Sequence, residues 1–442
     1  MDVSLEQMLE AREQRAFRQM GMIRTYHRPI VSFSMNIPGP IKDSPLIRRG
    51  FDAGVQALDH MLPRKAVLER QIFRQDTGCE ALYAVDMEGE ALKRITTAIE
   101  DRNCLGRLFD MDVIGTDFQK LDRELVGGGS RNCILCGAPG RSCASRRLHS
   151  VADLQKRVRS ILEDHFREKD RQQIGGWAVQ SLLDEVCTTP KPGLVDHRNT
   201  GSHRDMDVFT FISSASALGP YFERCVGIGQ ETAGLPAEET FGRLRQAGIV
   251  AEETMFEATG GVNTHKGAIF TLGLLCGSAG RLWKPEGGWE LNELLREVSR
   301  MTEAILTREL AHLGCTTEGE RLYHEKGIFG IRGEVIRGLP AVRDLGLPIY
   351  RRYRERDMDK NRAGVITLLY LISQVEDTNM LTRGGAEGAD RGRRGAAALI
   401  DSGRIPEFQE IEDLDQQFIR ENLSPGGCAD LLAAVYFLEH FF

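Results

Sequence analysis

Two aspartates in the first half of the chain are spaced so that they could hold a metal ion. Asp110 and Asp112 stand in the run 107–113, RLFDMDV, where apolar residues occupy the alternate positions. Side chains two residues apart on a strand point to the same face, which places these carboxylates roughly 7 Å apart. Neighbouring carboxylates repel unless a cation lies between them, and Mg²⁺ shared with substrate phosphates is the usual occupant. The alternative is a solvated strand face without a ligand.

A glycine-rich loop at 127–129 follows the aspartates and favours the interpretation as a phosphate site. Three successive glycines let backbone N–H groups approach phosphate oxygens closely. Arg107 precedes the aspartates and Arg131 follows the loop. We therefore expect Mg²⁺ on Asp110 and Asp112, with arginines binding the phosphates of a substrate.

Soft metal ligands gather after this loop. Cys133, Cys136, Cys143 and His149 have the spacing C-x₂-C-x₆-C-x₅-H, and such a set could form a Cys₃His zinc site. The spacing is denser than that of most zinc modules. The alternative is a set of reduced cysteines in a basic loop whose arginines bind phosphate. These arginines are Arg131, Arg141, Arg146 and Arg147.

In the second half, titratable residues continue the apolar stripes of predicted helices. Glu185, His265 and Asp377 each stand one helical turn beyond the end of such a stripe. A buried carboxylate is costly unless it is paired or bound to a metal, so three such placements predict one shared polar cavity.

The connecting segments add residues that could bind phosphates and Mg²⁺. Residues 188–196 form a rigid turn that ends in an acid, and 199–207 lead into a helix that Asp205 or Asp207 could cap. Residues 263–267 open another helix, where free N–H groups favour an anion. The expected substrate- or phosphate-binding residues are Lys191, Asn199, Lys266, Arg332, Glu334 and Asn379. The expected Mg²⁺ ligands are Asp196, Asp205, Asp207 and Asp377. This chemistry is typical of phosphate- and metal-assisted transfer on a nucleotide.

Two architectures must position these residues. Residues 1–168 mix patterns of period two with helical patterns, which predicts an α+β domain with a mixed sheet. Its strands are expected at 31–35, 81–85 and 106–114, and its helices at 48–62 and 89–101. Residues 172–442 have little strand signal and predict an all-α domain. Its helices are expected at 174–186, 207–222, 239–256, 263–279, 291–313, 362–376 and 427–441, with connectors at 189–193 and 384–395. The charged boundary, 161–173, is itself helical in pattern.

Composition excludes several classes of function. A chain of 442 residues fits two or three domains, and its net charge of −7 disfavours a protein that coats nucleic acid. The first twenty residues lack the apolar core of a signal peptide, and no run reaches the roughly 18–20 apolar residues of a membrane span. We therefore expect a cytoplasmic protein without nucleic-acid or membrane partners, whose ten cysteines are reduced thiols or metal ligands.

The motifs of the second half resemble those of triphosphoribosyl-dephospho-CoA synthase. They run in family order from residue 174 nearly to the C terminus: EVCTTPKPGLVDHRNTGSHRDMDVFTF, GGVNTHKGAIFTLG, GIRGE, EDTN and NLSPGGCADLLA. The first half is similar to apo-citrate lyase phosphoribosyl-dephospho-CoA transferase (holo-citrate lyase synthase) in SFSMNIPGPIKDSP, RLFDMDVIG and the run from CILC to CASRRLH. The whole chain thus resembles a fusion of the two enzymes.

This resemblance implies a bifunctional transferase. Residues 172–442 would join ATP and 3′-dephospho-CoA and release adenine, with Glu185 as the base and His203 or His265 protonating adenine or holding phosphate. Residues 1–168 would transfer phosphoribosyl-dephospho-CoA to a serine of the citrate lyase acyl carrier protein (gamma subunit) and release pyrophosphate. Asp110 and Asp112 would hold Mg²⁺ on the triphosphate in that second step.

Two other functions stay open at this point. The helical half could hydrolyse an N-glycosidic bond with water as the acceptor, which would give adenine and ribose triphosphate. The first half could be a zinc-dependent module that binds a carrier protein without catalysis. Product analysis distinguishes the first alternative, and metal analysis distinguishes the second.

Overall fold

The structure, a computed structural model, describes residues 2–312, 329–401, 403 and 405–442. Residue 313, at the end of one predicted helix, lies outside them. The chain divides into two compact units, Met1–Lys169 and Asp170–Phe442. In the described ranges, none of the helices combines the length and apolar character needed to cross a bilayer.

The first unit contains an antiparallel sheet. Its strands are β1 (Ile30–Met35), β2 (Val67–Gln75), β3 (Gly78–Val85), β4 (Phe109–Ile114) and β5 (Lys120–Leu121). Their order is β2-β3-β1-β4-β5, and each neighbouring pair is antiparallel. The predicted mixed sheet is therefore wrong. β1 and β2 run in the same direction, but β3 lies between them, so these two strands form no parallel ladder. This is a split β-α-β arrangement.

Helices cover both faces of this sheet. They are α1 (Leu5–Tyr26), α2 (Pro45–Met61) and α3 (Gly89–Arg102). On one face, Phe33 of β1 stacks on Phe51 of α2 at 5.0 Å between ring centroids. On the other, Met22 and Ile23 of α1 pack against Ile30 and the even-numbered positions of β3. The predicted helices and the strands at 31–35 and 81–85 are confirmed, whereas the strand predicted at 106–114 begins only at Phe109, after a 3-10 turn. α1, β2 and β5 are additions that the sequence patterns did not indicate.

The even-numbered positions of β4 lie on the face that α1 partly covers. Asp110 pairs with Ser34 and Asp112 with Ser32 across the β1–β4 ladder, and residues directly opposite share a face. The odd-numbered positions of β4 are buried on the side of α2. The two aspartates therefore share a face, as their spacing predicts.

A short helix and the first part of a long helix end this unit. α4 spans Gly140–Arg146 and α5 spans Val151–Cys187. The helical pattern predicted for 161–173 is confirmed, since α5 runs through it without interruption.

The second unit consists of helices and connecting segments, and its described residues contain no strand. After the end of α5, its helices are α6 (Val208–Ala217), α7 (Gly219–Thr232), α8 (Ala237–Thr259), α9 (Lys266–Arg281), α10 (Leu291–His312), α11 (Gly330–Ile336), α12 (Leu347–Arg354), α13 (Lys360–Gln374), α14 (Thr378–Ile400), α15 (Phe408–Arg420) and α16 (Gly426–Glu439). α9 and α16 are the most deeply buried of them. The predicted all-α architecture is confirmed.

Two details of the helical prediction are wrong. The segment 207–222 is two helices, because α6 ends at Ala217 and Pro220 stands in the first turn of α7. The predicted connector 384–395 is part of α14. Its glycines serve close packing, since a Cβ at Gly384 would lie 2.2 Å from the Leu423 side chain. Gly385, with φ 65°, kinks the helix.

Candidate functional site

A buried ion pair stands beside a large cavity in the helical unit. The ammonium group of Lys191 donates to the carboxylate of Glu185 and, at 2.8 Å, to the main-chain carbonyl of Glu185. The two side chains are only 1% and 6% exposed. Glu185 is positioned by the last turn of α5, and Lys191 by the turn that follows. The predicted base and a predicted phosphate-binding residue are therefore direct neighbours.

The turn that carries Lys191 is held by two buried aspartates. Asp196 accepts hydrogen bonds from the N–H groups of Lys191 (3.1 Å) and Arg198 (2.7 Å). Asp415 accepts from the N–H of Gly193 at 2.8 Å and from the Asn199 amide at 2.9 Å. Burial raises the pKa of Asp415. Asp196 and Asn199, predicted as metal and substrate ligands, thus shape the loop, and neither lines the cavity.

The cavity has a volume of about 1360 Å³ and is lined by residues from several elements. The end of α5, the loop before α6 and the first residues of α9 and α16 contribute to its lining, as do α11 and the α13–α14 junction. The predicted site residues in its lining are Glu185, Lys191, His203, Asp205, His265, Lys266, Glu334, Asp377 and Asn379. Further cations in the lining are Arg337, Arg343, Arg383 and Arg393. Asp207 and Arg332 lie outside it, and Asp207 caps α6.

Asp377 joins two helix ends at this cavity. One carboxylate oxygen accepts from the N–H groups of Asn379 (2.8 Å) and Met380 (3.0 Å), and the other accepts from the N–H of Cys428 (2.9 Å). Burial raises the pKa of Asp377. A Cβ at Gly427 would lie 2.9 Å from this carboxylate, which explains the glycine there. The predicted metal ligand therefore uses its oxygens to cap α14 and α16.

The two cavity histidines both have lowered pKa values. His265, the N-cap residue of α9, places Nδ1 2.7 Å from the Ser214 hydroxyl. Burial and the nearby Lys191 charge lower the pKa of His265 to about 3. Its Nε2 is buried without a hydrogen-bond partner among the described residues. His203 lies 2.9 Å from the Ser424 hydroxyl, and burial and Arg383 lower its pKa.

Asp430 is a cavity residue that the sequence analysis missed. It stands half-buried on α16 and accepts a hydrogen bond from the N–H of Ala268 in the first turn of α9. A Cβ at Gly267 would lie 1.9 Å from its Oδ2, so only glycine leaves room for this carboxyl group. Burial raises the pKa of Asp430 well above its usual value, and the charges of Glu185 and Asp377 raise it further. A lone carboxylate inside an apolar helix was the available signal.

The first unit carries a second candidate site, on β4. Asp112 forms an ion pair with Lys120 at 2.5 Å. Burial raises the pKa of Asp110, and the charge of Asp112 raises it further. Both carboxylates are half-buried. The positive charges of Arg15 and Arg131 are close enough to act on Asp110. The pair of carboxylates could take up a divalent cation, since a cation would relieve their mutual repulsion.

The arginines of this unit divide into two groups. Arg131 donates to the carbonyls of Phe109 (2.8 Å) and Gly106 (2.5 Å), and Arg107 donates to the carbonyl of Asn132. These two side chains therefore connect the loop to the start of β4. Arg146 and Arg147 are exposed at the end of α4, and Arg141 lies outside the residues whose side chains are described.

The cysteine cluster also comes together in the fold. Ligand atoms of Cys133, Cys136, Cys143 and His149 all lie within 4.8 Å of one another. The Cys136 and Cys143 sulfurs are 3.3 Å apart, and His149 Nε2 lies 3.3 Å and 3.7 Å from them.

Comparisons with known proteins match each unit to a different family. A model described as ATP:dephospho-CoA triphosphoribosyl transferase, CitG, matches residues 171–442. A model described as apo-citrate lyase phosphoribosyl-dephospho-CoA transferase, CitX, matches residues 3–165. Proteins named CitXG from Leuconostoc mesenteroides subsp. cremoris and Haemophilus influenzae are 33% and 32% identical over 99% of this chain, and the matches cover 97% and 96% of those proteins. The chain belongs to the CitXG family.

A separate relative matches the helical unit alone. The probable 2-(5′′-triphosphoribosyl)-3′-dephosphocoenzyme-A synthase 1 of Salmonella choleraesuis is 40% identical over 61% of this chain and 91% of its own length. In this CitXG-family chain the large cavity thus lies within the CitG match, and the aspartate pair and cysteine cluster lie within the CitX match. The chain is a transferase with a role in the prosthetic group of citrate lyase.

Proposed function

We propose that the helical unit joins ATP to 3′-dephospho-CoA, producing 2′-(5′′-triphosphoribosyl)-3′-dephospho-CoA and adenine. The observation that carries this proposal is the environment of two carboxyl groups in one cavity. Glu185 is paired with Lys191, whereas burial keeps the pKa of Asp430 high. A carboxylate paired with an ammonium group and a carboxyl group whose pKa is raised by burial are suited to opposite roles as base and acid.

Glu185 is the proposed base. Its carboxylate accepts the proton of the dephospho-CoA ribose 2′-hydroxyl as that oxygen attacks the anomeric carbon of the ATP ribose. The bond between the anomeric carbon and adenine breaks as the new C–O bond forms, through a transition state with oxocarbenium character. Lys191 fixes the orientation of Glu185 through its two contacts.

Asp430 is the proposed acid, and it gives its proton to the departing adenine. His203 and His265 were the candidates from sequence, but both have lowered pKa values and are suited to neutral hydrogen bonding. The unpartnered Nε2 of His265 is then available for a hydrogen bond to substrate. A carboxyl group whose pKa is raised by burial holds its proton to higher pH and can give it to the leaving base.

The cations in the cavity lining are suited to the triphosphate. Lys266 stands at the start of α9, and Arg337, Arg343, Arg383 and Arg393 reach the cavity from other elements. Mg²⁺ fits this site through Asp205, which is exposed in the lining, whereas Asp196 and Asp377 accept main-chain hydrogen bonds. When bound, Mg²⁺ would neutralise phosphate charge.

We further propose that the first unit transfers phosphoribosyl-dephospho-CoA to a serine of the citrate lyase acyl carrier protein, the gamma subunit, and releases pyrophosphate. Asp110 and Asp112 would hold Mg²⁺, which supplies charge neutralisation for the leaving pyrophosphate. Their shared face and the raised pKa of Asp110 support a cation at this position. Substrates of this kind agree with the predicted cytoplasmic location.

Mass spectrometry tests the first activity. The purified chain is incubated with ATP, Mg²⁺ and 3′-dephospho-CoA, without carrier protein. We expect an adduct heavier by one ribose triphosphate, with adenine in equal amount. Adenine with free ribose triphosphate and no adduct would instead show an N-glycosidic hydrolase. The adduct is then the substrate for testing transfer to the apo carrier protein, with pyrophosphate as the second readout.

A further inference from the structure

We propose that Cys133, Cys136, Cys143 and His149 bind a structural Zn²⁺ ion. In tetrahedral coordination, with Zn–S about 2.3 Å and Zn–N about 2.0–2.1 Å, neighbouring ligand atoms are about 3.5–3.8 Å apart. The distances among Cys136 Sγ, Cys143 Sγ and His149 Nε2 are 3.3, 3.3 and 3.7 Å. The Cys133 sulfur belongs to the same cluster. Only small side-chain movements separate this arrangement from a zinc site.

The backbone around the first two cysteines forms a tight turn. Asn132 and Pro139 pair in an antiparallel bridge, and the N–H of Cys133 donates to the carbonyl of Ala138 at 2.7 Å. Gly137 follows Cys136 with φ 73°, a left-handed conformation that favours glycine. This turn brings together the side chains of Cys133 and Cys136, which have two residues between them. A C-x₂-C pair in such a turn can supply two adjacent metal ligands.

The other two ligands come from α4 and the segment after it. Cys143 stands on α4 and is buried, and His149 follows the helix. The segment otherwise has little core of its own, since Leu135 and Leu148 are 38% and 57% exposed. A segment with few buried apolar groups needs another source of order, and a bound metal provides one.

The ligand set identifies the metal and its role. Three thiols and an imidazole are soft or borderline ligands that suit Zn²⁺ and disfavour Mg²⁺. Four protein ligands leave no open position, which is typical of structural rather than catalytic zinc. The ion would hold the loop from which Arg131 and Asn132 contact the start of β4. This site therefore supports the strand that carries Asp110, and the inference is independent of the reactions proposed above.

Metal analysis of the full-length chain tests the site. Chain purified under reducing conditions without chelator is expected to contain about one zinc ion per molecule. The Cys143→Ser variant should lose the zinc. Cys104→Ser, which removes an exposed cysteine outside the cluster, should keep it. Loss of zinc from both variants, or from neither, would contradict the assignment.

Cobalt binding provides a second test that does not depend on the folding of a variant. The wild-type chain, freed of metal under reducing conditions, is titrated with Co²⁺ alone. We expect the intense visible absorption of tetrahedral cobalt with thiolate ligands, saturating at about one equivalent and abolished by added Zn²⁺. A reduced chain that contains no zinc and gives no such spectrum would overturn the proposal.

Discussion

The ammonium group of Lys191 contacts both the carboxylate and the main-chain carbonyl of Glu185, six residues earlier in the chain. This pair is almost completely buried. The carbonyl contact lies at the C-terminal end of α5, where the Glu185 carbonyl also accepts a hydrogen bond from the N–H of Thr188 at 3.1 Å. Lys191 therefore has a structural role in addition to any contact with phosphate, and its replacement must be analysed for stability and activity separately.

Lys191→Met is expected to destabilise the helical unit by about 3–5 kcal/mol, because it leaves a buried carboxylate without its partner. Urea unfolding followed by tryptophan fluorescence measures this effect selectively, since the three tryptophans, Trp177, Trp283 and Trp289, all belong to this unit. The double variant Glu185→Gln/Lys191→Met removes both charges and should recover part of the stability. It should not recover adenine release.

Glu185→Gln alone is expected to lower adenine release by about 10²- to 10⁴-fold, the usual contribution of a general base. Transfer of preformed triphosphoribosyl-dephospho-CoA to the carrier protein should be unchanged, because that reaction is proposed for the other unit. Adenine release close to the wild-type rate in a folded Glu185→Gln variant would remove Glu185 from the proposed mechanism.

Gly267→Ala is expected to displace the carboxyl group of Asp430, since the new Cβ would lie 1.9 Å from Oδ2. A displacement of about 1 Å in a reacting group can reduce the rate about 10²-fold, so adenine release should fall strongly. Gly242→Ala is the matched control, because no atom of the described residues lies within 4 Å of the new Cβ at this exposed glycine of α8. Equal activities of the two variants would argue against Asp430 as the acid.

The sequence patterns located the elements that bury one apolar face, and they missed an element whose buried contacts are polar. β1 was found because apolar and polar residues alternate along it. α1 was missed because its inner face lacks a continuous apolar stripe. On that face, Arg15 and Arg18 instead donate to the carboxylate of Glu80, at 2.7 and 2.6 Å. The sheet type was wrong for a different reason. Strand patterns do not show that β3 lies between β1 and β2.

The same limits apply to the site. The shared cavity of Glu185, His265 and Asp377 was predictable, since each interrupts or extends an apolar stripe. The sequence could not show that Asp196 shapes a loop rather than binding a metal. Its structural role depends on which N–H groups donate to it, and residue type does not reveal this. Asp430 was overlooked although it is a lone carboxylate inside an apolar helix, because the contact that gives it a role joins α16 to α9, far apart in the chain.

Asp110→Asn is expected to reduce transfer to the carrier protein by about 100-fold or more while adenine release is retained, because it removes a proposed Mg²⁺ ligand in the first unit only. The loss should be partly recovered at high Mg²⁺ concentration if metal affinity is the cause. Asp86→Asn is the control, since it breaks only an exposed ion pair with Arg28. Pyrophosphate release measures the reaction. Full activity of Asp110→Asn would exclude the proposed metal site.

His265 is expected to make the helical unit less stable as the pH falls below about 6.5. The pKa of His265 is about 3 in the folded chain, against roughly 6.5 when unfolded. Between these values the unfolded state binds a proton that the folded state does not, so the free energy of unfolding decreases with falling pH. From pH 7.5 to 5.5 this loss amounts to about 1 kcal/mol.

The His265→Gln variant removes this pH-dependent contribution to the free energy of unfolding, because glutamine does not titrate. Its free energy of unfolding, from urea denaturation followed by tryptophan fluorescence, should therefore fall by about 1 kcal/mol less than that of the wild type over the same pH interval. Effects of the carboxyl groups are common to both proteins and cancel in the comparison. His197→Gln, which removes an exposed histidine from the same unit, is the control. An identical pH dependence in both variants would contradict a buried, neutral His265 beside Lys191.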